Sequence, residues 1–156
     1  MGAFSRILLC YDATREGRRA LREGKELALE CQAQTHLLAV LDQSPLQWGT
    51  DIASAVPYEA AERAAKDILE DGVARLKALG LEATGHFAVG RAIDEIARAS
   101  TSFNADLIVL AHHRRGPFAR WWEGRDDRKL LDRVSCSVLV VTAPEAAEAA
   151  TATRAA

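Results

Sequence analysis

Three tetrapeptides constrain this chain more than any other feature: ILLC (7–10), LIVL (107–110) and VLVV (138–141). Each is apolar at successive positions. A strand made from such a run buries both of its faces, which requires helices above and below a parallel sheet. They belong to longer apolar runs, RILLCY (6–11), DLIVLA (106–111) and SVLVVT (137–142). Two further runs, THLLAVL (35–41) and LEATGHFAV (81–89), complete a set of five. In the last of these, Leu81, Ala83, Phe87 and Val89 alternate with Glu82, Thr84 and His86, so an edge strand is expected there.

Helix-period segments separate most of the runs. Over 14–31, Ala20, Leu21, Gly24, Leu27, Ala28 and Cys31 form one apolar stripe. Over 57–79, Ala61, Ala65, Ile68, Leu69, Val73, Leu76 and Leu79 do the same. Pro57 suits the first turn of that helix, and Gly80 suits a left-handed exit. Ile93, Ile96 and Ala97 mark a third helix after Gly90. A fourth is expected over about 125–134, with Leu130, Leu131 and Val134 inward. Strand and helix in alternation predict crossovers and a doubly wound α/β sheet of five parallel strands.

The chain of 156 residues is one domain of ordinary size. Twenty basic side chains face 22 acidic ones, a balance that disfavours a general nucleic-acid binder. No apolar run approaches 18 residues, so no membrane span is expected. The opening residues lack the order of a signal peptide. Cys10, Cys31 and Cys136 form no CxxC pair and read as reduced, mostly buried thiols of a cytoplasmic protein. The alanine-rich segment 144–156 cannot bury enough to stay ordered alone.

Ligands of open parallel sheets bind beyond the carboxyl ends of the strands, where strand order reverses. Three segments fall there: Asp12-Ala13-Thr14, the loop 42–56, and 111–124. Asp12 has two readings of equal weight, a helix cap and a ligand contact. The third segment carries most of a strongly basic stretch. From Ala111 to Lys129, six basic side chains (Arg114, Arg115, Arg120, Arg125, Arg128 and Lys129) face Glu123, Asp126 and Asp127. Pairing among these on a solvated surface is the favoured reading. The other is an anion held by guanidinium forks. Phe118, Trp121 and Trp122 read either as a local mini-core or as an exposed partner anchor; packing is expected for one Trp, the other stays open between the two, and Trp48 could meet them over the same rim. His112-His113 is a poor chelating pair because adjacent extended residues point opposite ways, so no metal is expected. His36 and His86 lie in different strands, and nothing in the sequence places them together. No catalytic motif is present: GxSxG, HExxH, GxxxxGK[ST] and GxGxxG are all missing.

RILLCYDATREGRRAL, VGRAIDEIARASTSFNADLIVLA and LLDRVSCSVLVV together resemble a universal stress protein domain of the UspA type, over 1–143. The resemblance implies a flavodoxin-like (adenine nucleotide α-hydrolase-like) sheet of order 3-2-1-4-5. It also implies a homodimer through the closing edge strand, from Ser137 to Thr142. The nucleotide-binding branch of the family carries Gly-x-x-Gly, nine residues, then Gly-Ser or Gly-Thr. Glycines there admit phosphate to the backbone N–H groups.

Here the spacing is kept, but Ala111 and Arg114 replace the glycines and Arg125 replaces the hydroxyl; Gly124 alone matches. By the same resemblance Asp12 corresponds to the adenine contact, with Tyr11, Ala13 and Val40 beside it and His113 at a loop contact position. The expectation is a non-catalytic stress-response protein, with weak ATP hydrolysis at most, acting through dimerisation and an unidentified protein partner. Its phosphate loop is degraded and no cofactor is expected, since one lost charge-assisted donor alone costs about 1.5–3 kcal/mol. The alternative is a sensor of ATP or AMP that uses Asp12, Val40 and the arginines.

Overall fold

The computed structural model describes residues 2–42, 58–112 and 126–142. Along the chain run β1 (Arg6–Cys10), α1 (Arg15–Cys31), β2 (Gln34–Asp42), α2 (Tyr58–Ala78), β3 (Ala83–Gly90), α3 (Ala92–Ser102), β4 (Leu107–Ala111), α4 (Asp126–Leu131) and β5 (Ser137–Val141). The sheet has the order β3-β2-β1-β4-β5, and every pairing is parallel. This is the expected doubly wound arrangement, with the alternating run 81–89 supplying an outer strand.

Each face of the sheet carries its own core. Ile7, Leu9, Tyr11, Leu37 and Val109 pack with α1 and α2 residues such as Ala20, Ala28 and Leu76. Leu8, Leu38, Ile108 and Leu110 pack on the other face with Ile96 and Ala97 of α3 and Leu130 of α4. The alternation along ILLC and LIVL therefore feeds two layers at once, which is why polar residues are excluded from both registers.

Four expectations need correction. VLVV does not bury both of its faces: Leu139 and Val140 are 36% and 39% exposed, because β5 is an outer strand. Leu79 lies past the end of α2 and is 53% exposed, because the helix breaks before it and Gly80 turns left-handed (φ +88°). The described part of α4 ends at Leu131, three residues short of the expected end. Leu131 is 59% exposed: Leu130 takes the inward position, and the next residue is turned about 100° away from it. Pro57, Trp48, Phe118, Trp121, Trp122 and the segment 144–156 lie outside the described residues.

Candidate functional site

β1 ends against the start of α1, and the connection is short. Tyr11 N–H donates to the Leu38 carbonyl at 3.0 Å, which carries the β1–β2 ladder one residue further. Asp12 then turns its carboxylate over the helix start. Its Oδ1 accepts from Thr14 N–H (3.1 Å) and from Thr14 Oγ1 (2.7 Å). Thr14 Oγ1 in turn accepts from Gly17 N–H at 3.0 Å. Thr14 is thus the N-cap of α1, and Asp12 stands behind it. Of the two readings open for Asp12, the structure realises a modified form of the first: it braces the cap.

Gly17 is what makes room. A Cβ added there would land on Asp12 Oδ1. A glycine in the first turn of a helix lowers helix propensity, so its presence there without a turn to make was the available sequence signal. Ala13, between the two side chains, takes a left-handed φ of +60°.

Tyr11 points to the opposite side of the sheet from Val40 and Cys10. Its hydroxyl donates to Asp71 Oδ2 (3.2 Å), which also accepts from Arg75 Nε (2.7 Å). Arg75 holds the Asp71 carboxyl below its usual range. Burial, with Asp71 adding to it, raises the Tyr11 phenol above its own. Gly72 allows this latch, since a Cβ there would press on Leu37 and the Tyr11 ring. Burial and the Asp12 charge push the Cys10 thiol up to about 12, which keeps it protonated and unreactive. All three cysteines are free thiols. Cys31 is buried, whereas Cys10 and Cys136 are half-buried.

β2 contributes Val40 and Asp42 to the same rim. Asp42 Oδ2 accepts from Ala92 N–H at 3.3 Å and so caps α3 from a neighbouring strand, because Arg91 supplies no side-chain cap. β4 contributes Ala111, paired with Val141 and buried in the core on the α1/α2 side. Its methyl packs in that core. His112 N–H donates to the Val141 carbonyl at 2.8 Å. Asp12, Ala13, Val40 and Ala111 therefore share the carboxyl-end rim of adjacent strands β2, β1 and β4. Tyr11 begins there and sends its ring away. His113, Arg114, Gly124 and Arg125 lie outside the described residues.

A second polar cluster was not legible in the sequence. His36 on β2 and His86 on β3 meet with Nδ1 and Nε2 2.9 Å apart. Phe103, the C-cap of α3, stacks on both rings, with centroids 4.3 Å and 4.1 Å away. His36 is buried and His86 half-buried. Burial lowers both imidazoles below the usual 6.5, and for His36 the neighbouring His86 adds to it. Among the described residues no group of three His, Cys, Asp or Glu side chains could hold a metal ion.

A family model described as "Universal stress protein family" matches residues 3–142. No curated protein matches the chain significantly. Among solved structures, the universal stress protein UspA from Lactobacillus plantarum aligns with a TM-score of 0.71 and 21% identity, over 90% of this chain and 99% of that one. A universal stress protein in complex with cAMP aligns at 0.66 and 19%, over 90% and 98%. One from Archaeoglobus fulgidus in complex with dAMP aligns at 0.63 and 18%, over 90% and 99%. At these identities the likeness speaks for the fold.

Proposed function

The chain belongs to the universal stress protein family, and on that premise we propose a non-catalytic member that works as a homodimer with a protein partner and does not take a triphosphate. The observation that carries this reading is the engagement of Asp12. Its Oδ1 already accepts two hydrogen bonds from Thr14 and lies against Gly17, so it serves the start of α1. Moving it towards a base would give up the two hydrogen bonds that brace the Thr14 cap of α1, at a cost of about 0.5–1.5 kcal/mol each. The loop sequence points the same way. Arg114 and Arg125 replace small residues that would expose backbone N–H groups.

Dimerisation rests on β5. Leu139 and Val140 are 36% and 39% exposed on an outer strand, and Leu131 of α4 is exposed on the same side of the sheet as Val140. An apolar outer strand of this kind is a template for pairing. Three free thiols fit a reducing, cytoplasmic setting. No helix among the described residues is long and apolar enough to cross a membrane.

The second reading, a sensor of ATP or AMP, is favoured by the relatives in complex with cAMP and dAMP. It would use Asp12 and Val40 at the rim, with the arginines replacing backbone donors. Titration calorimetry with ATP and AMP, with and without magnesium, separates the two. The first expects no heat of binding. Micromolar binding that disappears in Asp12→Ala establishes the second.

A further inference from the structure

β3 is the outer strand on one side of the sheet, and among the described residues it pairs only with β2. His86 sits at its centre, in register with Leu38, and reaches back along β2 to His36. Phe103 closes the corner from the end of α3. Two facing ring nitrogens 2.9 Å apart leave room for one hydrogen between them, donated by one ring and accepted by the other. A single added proton is tolerated, because it sits on the outer nitrogen of the donor ring. Two imidazolium rings are not tolerated. Both facing nitrogens would then carry hydrogen, with like charges on rings 5.1 Å apart.

We propose that the His36–His86–Phe103 corner is an acid-sensitive clamp, which holds β3 and the end of α3 to the sheet while one hydrogen lies between the rings and releases them when both rings are charged. The other charged groups on the surrounding elements have their own engagements. Arg6 of β1 donates to the Asn104 carbonyl, and Asp42 of β2 caps Ala92. Asp94 of α3 pairs with Arg91 at the helix N-cap and with Arg133 beyond α4, and Arg98 pairs with Glu95 within α3. Asp106, ahead of β4, accepts from Ser5 and Arg6 N–H. Lys66 of α2 lies over Phe87 on the other face of β3, and Glu82 ahead of β3 is exposed. The pair therefore answers chiefly to its own charge and to burial.

The sign follows from the lowered imidazole values. As pH falls through 6.5, the open corner takes up protons before the closed one does. The clamp is fully closed above 6.5 and weakens progressively below it. Nothing in this depends on nucleotide binding at the rim.

The test is an NMR titration of the full chain from pH 7.5 to 4.5, reading the ring nitrogens of His36 and His86 and amide exchange corrected for its intrinsic pH dependence. The expected result is coupled titration of both rings below 6.5. Exchange in β3 and the last turn of α3 should rise relative to β1 and β4 as both rings charge. Independent titration of both rings at the ordinary value overturns the proposal, as does exchange in β3 that stays parallel to β1. His86→Gln, which keeps a hydrogen-bonding amide and does not titrate in this range, should abolish the acid-driven rise. Persistence of the rise in that variant also overturns it. Should His86→Gln not fold, the ring titration of the unaltered chain decides alone.

Discussion

β3 and β5 are the two outer strands of one sheet, and they are finished differently. β3 lies between α2 and α3 and shows Thr84 and Gly85 to solvent, behind an exposed Glu82. Its one buried polar contact is internal, between His86 and His36. β5 shows Leu139 and Val140. A polar outer strand is protected against pairing with another chain, whereas an apolar one of similar geometry invites it. This contrast is what supports the proposal that the chain pairs through β5 and not through β3.

The sharpest way to break this contrast is to exchange the two surfaces. Val140→Glu should raise the dimer dissociation constant at least about a hundredfold, because like charges meeting across a symmetric interface cost several kcal/mol. Thr84→Glu on β3 should leave assembly unchanged. Sedimentation velocity over a concentration series reads both. A wild-type monomer at tens of micromolar (order of magnitude from usual interface strengths) would remove the premise for β5, and a response at Thr84 would remove it for β3.

A smaller effect is expected from the internal contact of β3. His86→Ala leaves the buried His36 nitrogen without its partner and removes one ring from the Phe103 stack. The expected loss is about 1–3 kcal/mol in denaturant unfolding at pH 7.5. The variant should also lose stability less steeply than wild type on acidification below pH 6.5, since the coupled pair is gone. Dimerisation through β5 should be untouched. Equal acid sensitivity of variant and wild type would separate the histidines from the behaviour of this side.

The two sides also differ in how far they could be read beforehand. LIVL reports its burial directly, because every position is apolar and β4 is covered on both faces. VLVV carries the same pattern on an outer strand that leaves Leu139 and Val140 exposed, so the pattern alone does not separate the two. The alternation of LEATGHFAV likewise marks β3 as an outer strand. The meeting of His36 and His86 is different. It depends on the register of β2 against β3, which neither strand's own pattern spells out. Asp12 is an intermediate case. Its position after β1 places it at the rim, but cap and contact use the same residue type. Only Gly17, three residues beyond Thr14, tells them apart, by admitting the carboxylate onto the helix start. Leu131 differs for a simpler reason: consecutive helical residues are turned about 100° apart, so Leu130 and Leu131 cannot both face the sheet.

The smallest effect is expected at the centre, where it serves as the control for both sides. Ala13 holds φ at +60°, a conformation that costs a residue with a Cβ about 1–2 kcal/mol. Ala13→Gly removes that cost and admits about 0.5–1 kcal/mol of extra unfolded-state entropy. It also gives up a half-buried methyl that packs on the α1/α2 core, worth a fraction of about 0.8 kcal/mol. The net change should be a stabilisation of about 0.5 kcal/mol or less, visible as a small rise in Tm. Because Ala13 follows the central strand β1, the same variant should leave the dimer constant and the acid profile where they were. If it moves the dimer constant, β5 is coupled to the rim through β4. If it moves the acid profile, β3 is coupled to it through β2. In either case the difference between the two outer strands would no longer belong to the strands themselves.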